Sequence, residues 1–320
     1  MAIILDKKLL MVSIINLFIA YKLYFYIMPK EKEITTIPIA IKIDNEHFYE
    51  SIITLTSLIE NISPDIIYDI NILVPNNFMI NNRLKLLTLE VKYKNIKIFL
   101  IESEEPFVKI KNFRSFYYKI FLPYLIPNFD KIIFLHWNTL IFAGLEQLYN
   151  MDLKDNFFLG FLNNENNIYN NLNDLNIKIE KNIKTNILLV NMKKLKENNY
   201  HKEFKNLYLK YKDNKEINEE ILINIVYKDK IGILPAKYGM PNFNSTDLAL
   251  EYNNKINEIY RYDKNGFISA YYKPIVMNFI CEPLKYGNKC YNYEAYWFYT
   301  KKCEYYDEMK SIYGKVMEEK

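Results

Sequence analysis

The apolar run KIIFL, Lys131 to Leu135, ends on the triplet His136-Trp137-Asn138. An imidazole at a strand end can hydrogen-bond a phosphate or act as an acid; equally, it can be a satisfied strand-end histidine with no chemistry to do. Trp137 is expected to pack in the core and not to offer a sugar platform, because strand neighbours alternate faces. Asp44 is the second candidate. It closes the apolar run Ile37–Ile43, and in parallel sheets ligands sit beyond the carboxyl ends of the strands. The cysteines Cys281, Cys290 and Cys303 are odd in number and form no CxxC pair. They support neither a zinc site nor a disulfide framework, although a single bridge within that segment stays open.

The elements that must position these residues alternate. IPIAIKI (37–43) reads as a buried strand. Phe48, Ile52, Ile53, Leu55, Leu58 and Ile59 then share one helical face, stopped by Ser63-Pro64. A strand at 67–74, a polar helix at 81–89 and a strand at 95–101 continue the pattern, which is that of βαβ units. A helix is predicted over 115–122, strands over 131–135, 157–162 and 187–192, and a long charged helix after the last. A helix over 218–227 and a late strand over 273–279 complete the core. The fold class is therefore α/β, with a mixed, mainly parallel sheet flanked by helices. The asparagine-rich stretch 163–182 reads as a surface excursion. From Tyr291 onward, aromatic and charged residues alternate, which predicts a helix packed on the domain edge ahead of a membrane-surface contact.

Half of the 320 residues are apolar and a quarter charged, so the chain can bury a large core. The net charge of +4 is small, and lysines and glutamates are interleaved. No nucleic-acid partner is expected. Leu9 to Met28 is apolar except for Lys22, and it has about the 20 residues a helix needs to cross a bilayer. A membrane anchor is the expectation; a buried or surface-docked helix is the alternative, favoured by Ser13, Asn16 and Lys22. The domains expected are an anchor and linker at 1–36, a main domain at 37–290 and an amphipathic extension at 291–320.

Four segments, in order, resemble the family 8 glycosyltransferases, retaining galactosyl- and glucosyltransferases of lipopolysaccharide type with a GT-A fold. IPIAIKIDNEHFYESIITLTSLIEN is similar to the family's opening strand, acidic turn and helix. FRSFYYKIFLPYLIPNFDKIIFLHWNTL resembles its tyrosine-rich helix and metal strand, with LEQLYNMDL after it. TNILLVNMKKLKE and MNFICEPLKYGNKC match a later strand-helix pair and the closing segment. The resemblance implies transfer of a hexose from a nucleotide sugar, UDP-linked, to a glycan or lipid-linked acceptor. In a bacterium, such an enzyme would face the cytoplasm, where activated sugars are made.

In the family a D-x-D and a histidine hold a divalent cation that bridges the donor's phosphates. The D-x-D positions here are His136 and Asn138, and the histidine position is Asn278. None is anionic, so no Mn or Mg site of the usual kind is expected and no cofactor is predicted. The family's asparagine-glycine strand carries Lys184 and Asn186, its acid-glutamine pair becomes Glu219-Glu220, an acidic position becomes Asn164, and the closing lysine falls on Leu284. Asp44 and the arginine-like Lys119 survive. Two readings follow. In one, Lys184, Lys119 and Lys285 meet the leaving diphosphate in place of the ion, Glu219 or Glu220 stabilises an oxocarbenium-like centre, and Asp44 holds the uracil or ribose. In the other, catalysis is lost and the chain is a binding or accessory protein on an intact scaffold.

Overall fold

In the computed structural model, residues 35–102, 118–164, 181–198, 200–211, 214, 217–256 and 258–318 are described. The expected N-terminal anchor lies outside them. Among the described residues, no helix is long and apolar enough to cross a membrane.

The strands are β1 (Thr35–Lys42), β2 (Ile66–Val74), β3 (Ile96–Glu102), β4 (Lys131–Leu135), β5 (Thr139–Ile141), β6 (Phe158–Leu162), β7 (Ile183–Asn191), β8 (Ile231–Ile233), β9 (Tyr238–Pro241) and β10 (Val276–Asn278). The helices are α1 (Phe48–Glu60), α2 (Ile80–Lys92), α3 (Tyr118–Leu125), α4 (Glu146–Tyr149), α5 (Met192–Glu197), α6 (Tyr200–Tyr211), α7 (Glu219–Val226), α8 (Thr246–Asn254), α9 (Lys264–Tyr272), α10 (Pro283–Tyr286), α11 (Tyr293–Lys302) and α12 (Tyr306–Glu318). A seven-stranded sheet runs β3-β2-β1-β4-β7-β6-β8, and a small sheet runs β5-β10-β9. The pairs β2/β3, β1/β4 and β6/β8 are parallel, while β7 is antiparallel to both neighbours.

Alternation along the central strands sorts two cores. Ile39, Ile41, Ile133, Leu135, Ile187 and Leu189 face the helix α1, together with Tyr296, Tyr299 and Met309 of α11 and α12. Ala40, Ile132, Phe134, Leu188 and Val190 face the opposite layer, where Leu122, Leu195, Phe204 and Leu222 come from α3, α5, α6 and α7. Burying apolar side chains on both faces is what a period-two apolar strand requires in an α/β sandwich. The C-terminal helices thus pack on the domain as expected.

Three local features shape the site. Thr54 of α1 donates its hydroxyl to the carbonyls of Trp137 (2.6 Å) and Thr139 (2.8 Å), fixing the turn between β4 and β5. At Gly160 the register of β6 on β7 shifts, and a Cβ there would lie 2.9 Å from the Lys184 carbonyl oxygen; only glycine allows that approach. Cys281 and Cys290 are bridged, spanning α10, and Cys303 is a buried free thiol. The single bridge left open by the sequence therefore forms. The expected long charged helix is two, α5 and α6, and α3 begins at Tyr118.

Candidate active site

Strand β1 pairs in parallel with β4, Ile41 opposite Leu135, so their carboxyl ends lie side by side. β1 leads through α1 to β2 on one side, whereas β4 lies on the other; such a switch point leaves a crevice beyond the strand ends. β1 delivers Lys42 and Asp44 to it, and β4 delivers His136.

One corner of this crevice is neutral. The His136 backbone N–H donates to the Asn186 carbonyl at 2.8 Å, because β7 runs beside β4. Asn138 is held by Phe279 through its own carbonyl (2.9 Å) and through its Nδ2, which donates to the Phe279 carbonyl at 2.8 Å. With Nδ2 so engaged, Asn138 Oδ1 is the acceptor. It receives Asn186 Nδ2 at 3.2 Å and lies 2.7 Å from His136 Nδ1. Nδ1 must then carry the proton, and Nε2 presents its lone pair. Asn186 Nδ2 also donates to Asn278 Oδ1 at 2.8 Å. Burial, and next the Lys119 charge, push the His136 pKa down to about 3, so the ring is uncharged at neutral pH.

The other corner is charged. Lys119 and Glu219 are 8% and 7% exposed. The Lys119 ammonium lies 2.7 Å from Glu219 Oε2, and the Lys119 backbone N–H donates to Glu219 Oε1 at 3.1 Å. Lys119 also donates to the Thr185 hydroxyl (3.2 Å), which in turn donates to Glu220 Oε2 (3.3 Å). Glu220 receives the Thr185 backbone N–H at 2.9 Å and Asn163 Nδ2 at 3.1 Å, and Lys184 lies 3.6 Å away. Both carboxylates start α7, capped by Asn218 Oδ1 from Ile221 N–H at 3.0 Å; the helix N-terminus favours negative charge there. Burial pushes the Glu219 carboxyl up against the pull of Lys119. Lys42, its ammonium 5.2 Å from the Tyr118 ring centroid, is lowered by burial while Asp44 and Glu219 pull it up.

Beside His136 lies an aromatic pair. Asp44 Oδ1 accepts the His47 backbone N–H (2.9 Å) and lies 3.0 Å from His47 Nδ1. The His47 ring stacks on Trp137, centroids 4.1 Å apart and planes 15° off parallel. Burial raises the Asp44 pKa, but the His47 bonds outweigh it and leave it at about 2; the bond to Asp44 raises His47. Trp137 is therefore half-buried against His47 and not a core residue. β4 ends at Leu135, so strand alternation no longer governs it.

The fold thus gathers Asp44, Lys119, His136, Asn138, Lys184, Asn186, Glu219, Glu220 and Asn278 around one crevice. Asn164 follows β6, half-buried; its neighbour Asn163 is the residue that holds Glu220. Lys285 does not join them. It pairs with Glu282 at 3.6 Å with its side chain 61% exposed, because α10 buries Pro283 and Leu284 and turns Lys285 outward. Lys42, His47, Thr185 and Asn163 were missed. Only Lys42 had a signal: two residues before Asp44, it shares that residue's face of the strand.

The side chains at the family's cation positions do not fit a hard divalent ion. They are an imidazole and two amides, and the amide oxygens are already accepting hydrogen bonds.

At 25% identity over 261 residues, 77% of this chain and 72% of its partner, the chain is similar to a protein of Haemophilus influenzae (strain ATCC 51907 / DSM 11121 / KW20 / Rd) described as a presumptive glycosyltransferase. Among solved structures, it is similar to the galactosyltransferase LgtC in complex with donor and acceptor sugar analogues (TM-score 0.66, 16% identity, 84% of this chain and 96% of that one). It is also similar to the apo bifunctional glycosyltransferase WbbM (TM-score 0.68, 17% identity, 87% of this chain), of which it spans 51%. At such identities these likenesses show the fold, which is GT-A-like. The profile of Glycosyl transferase family 8 matches residues 38–262, a stretch that runs from β1 past α8 and takes in every crevice residue except Asn278, and the chain belongs to that family.

Proposed function

We propose that the chain is a hexosyltransferase that takes a nucleotide sugar, a UDP-hexose, in the crevice beyond β1 and β4 without a divalent cation. One observation carries this reading. At the positions the family gives to its ion stands a closed neutral network of His136, Asn138, Asn186 and Asn278, while Lys42 and Lys119 stand near enough to His136 to depress its pKa. A diphosphate entering there meets ammonium groups and uncharged amide and imidazole groups, which stabilise leaving-group charge by direct interaction. In transfer, the bond from the sugar C1 to the diphosphate oxygen breaks and a C1–O bond to an acceptor hydroxyl forms, the acceptor's proton leaving with the diphosphate. Glu219 and Glu220 would face the positive charge that develops at C1. The acceptor is a glycan or lipid-linked hydroxyl.

A second reading, binding without transfer, is favoured by a different observation: the ammonium groups of Lys119, Lys184 and Lys285 each have a glutamate within 4 Å. A diphosphate in the crevice must loosen the Lys119 and Lys184 pairs before it is stabilised.

Calorimetric titration with UDP, with and without Mn, followed by turnover of UDP-hexoses, separates the two. The expected result is UDP binding of equal strength with and without Mn, together with hydrolysis or transfer. Binding without turnover favours the second reading. Binding that requires Mn overturns the ion-free site.

A further inference from the structure

His47, whose ring stacks on Trp137, also lines a second cavity of about 870 Å³ among the start of α1, α10 and α12. Gly287, at φ +55, lets the segment after α10 lie against α12: a Cβ there would come within 3.0 Å of Val316 Cγ1. The polar wall consists of Glu46, His47, Glu50, Glu282, Lys285, Ser311 and Tyr313, and Leu284 and Ile312 supply apolar surface.

One buried polar atom of this wall has no hydrogen-bond partner: Glu50 is 5% exposed and its Oε2 is unpaired. Such a group carries a desolvation cost that an incoming partner would remove. The wall chemistry restricts that partner. An anion would meet three glutamates and one lysine, Lys285, already matched to Glu282. A divalent ion needs several converging ligands, and among the described residues no group of three or more His, Cys, Asp or Glu could hold one. A wholly apolar ligand would leave the glutamates stranded. An organic cation would find Glu282 matched to Lys285 and the Glu50 carboxyl disfavoured as an anion by its burial, leaving Glu46 at the exposed edge. What remains is a neutral molecule with hydroxyls at its edge and C–H groups on its faces.

We infer that this cavity is a subsite for a neutral hexose unit of a glycan, with the buried Glu50 carboxyl hydrogen-bonding a sugar hydroxyl and the Tyr313 ring lying against the sugar. Burial pushes the Glu50 carboxyl toward its protonated form, in which it both donates and accepts, as a hydroxyl partner does. Of the residues placed at the crevice, His47 alone lines this cavity.

Saturation-transfer NMR on the full chain with methyl glucoside and methyl galactoside tests this. A saturable signal is expected from at least one of them. Glu50→Leu should weaken it at least tenfold while UDP affinity, measured separately, stays the same. Glu282→Gln, at the rim, should weaken it about threefold and guards against a Glu50 variant that fails to fold. Glu220→Gln, in the crevice, should leave the signal unchanged. No signal from either glycoside overturns the subsite, as does a signal that falls with Glu220→Gln and survives Glu50→Leu and Glu282→Gln, since that locates the sugar in the crevice. Failure of UDP to bind would count against the transferase and leave these sugar results standing.

Discussion

The neutral corner, where His136, Asn138, Asn186 and Asn278 bond one another, and the charged corner, where Lys119, Glu219, Thr185 and Glu220 do, flank the same strand β7 and depend on opposite things. In the neutral corner each bond joins two neutral groups, so losing one costs about 1 kcal/mol. In the charged corner, two ions under a tenth exposed are tolerable only as a pair. Where a family position has lost its carboxylate, the network can close on itself. Where carboxylates remain, a lysine has to remain with them.

The comparison breaks first at Glu219. Glu219→Leu leaves the Lys119 ammonium buried beside Phe134 without its ion pair, and about 3–5 kcal/mol of stability should be lost in urea unfolding. Adding Lys119→Met should return most of it, since an apolar pair can replace a buried ion pair at little cost. A single-variant loss under about 1 kcal/mol would mean that water reaches the corner, and the contrast would vanish.

The neutral corner is sharpened by pH. His136 is held near 3 in the fold, whereas an unfolded imidazole titrates near 6.5. Between those values the unfolded chain binds the proton and the folded chain does not. The stability tied to His136 is therefore complete above pH 6.5 and falls as pH drops, by about 2 kcal/mol at pH 5. His47, raised by Asp44, runs the other way: its contribution is complete below pH 6.5 and is lost as pH rises through its folded value. Asp44, at about 2, contributes above about pH 3.9 and loses that only below it. Urea midpoints at pH 7 and pH 5 should thus converge in His136→Gln relative to the natural chain. An unchanged acid limb would show that the ring is solvated.

How far the sequence carried depended on where polar residues fell. β4 was read to the residue, and β1, β2 and β3 to within two, because apolar residues fill at least every second position along the predicted runs. β7 begins at Ile183 and not at 187, since Lys184 and Asn186 interrupt its apolar pattern: they face the crevice, and a strand with one wet end reads as a loop. The expected helix after it breaks at Asn198, whose side chain turns back to donate to the Lys194 carbonyl at 2.8 Å. At the site, family resemblance supplied the positions but not the pairings. Lys119 and Glu219 are 100 residues apart, and His47 and Trp137 come from different strand ends; no local pattern encodes contacts made only by strand order.

The smallest effect is expected at Thr185, where the charged corner borrows a neutral group. Its hydroxyl accepts from Lys119 at 3.2 Å and donates to Glu220 at 3.3 Å, both long, whereas the shorter bond to Glu220, 2.9 Å, comes from its backbone. Thr185→Val keeps that backbone bond, the β-branched shape and the Lys119–Glu219 pair, so unfolding free energy should fall by about 1 kcal/mol or less. The hydroxyl is nonetheless the link between the two carboxylates' hydrogen-bond shells. If Thr185→Val costs as much as Glu219→Leu, then Glu219 and Glu220 form one coupled unit, and the corner's stability resides in the chain of bonds and not in the ion pair.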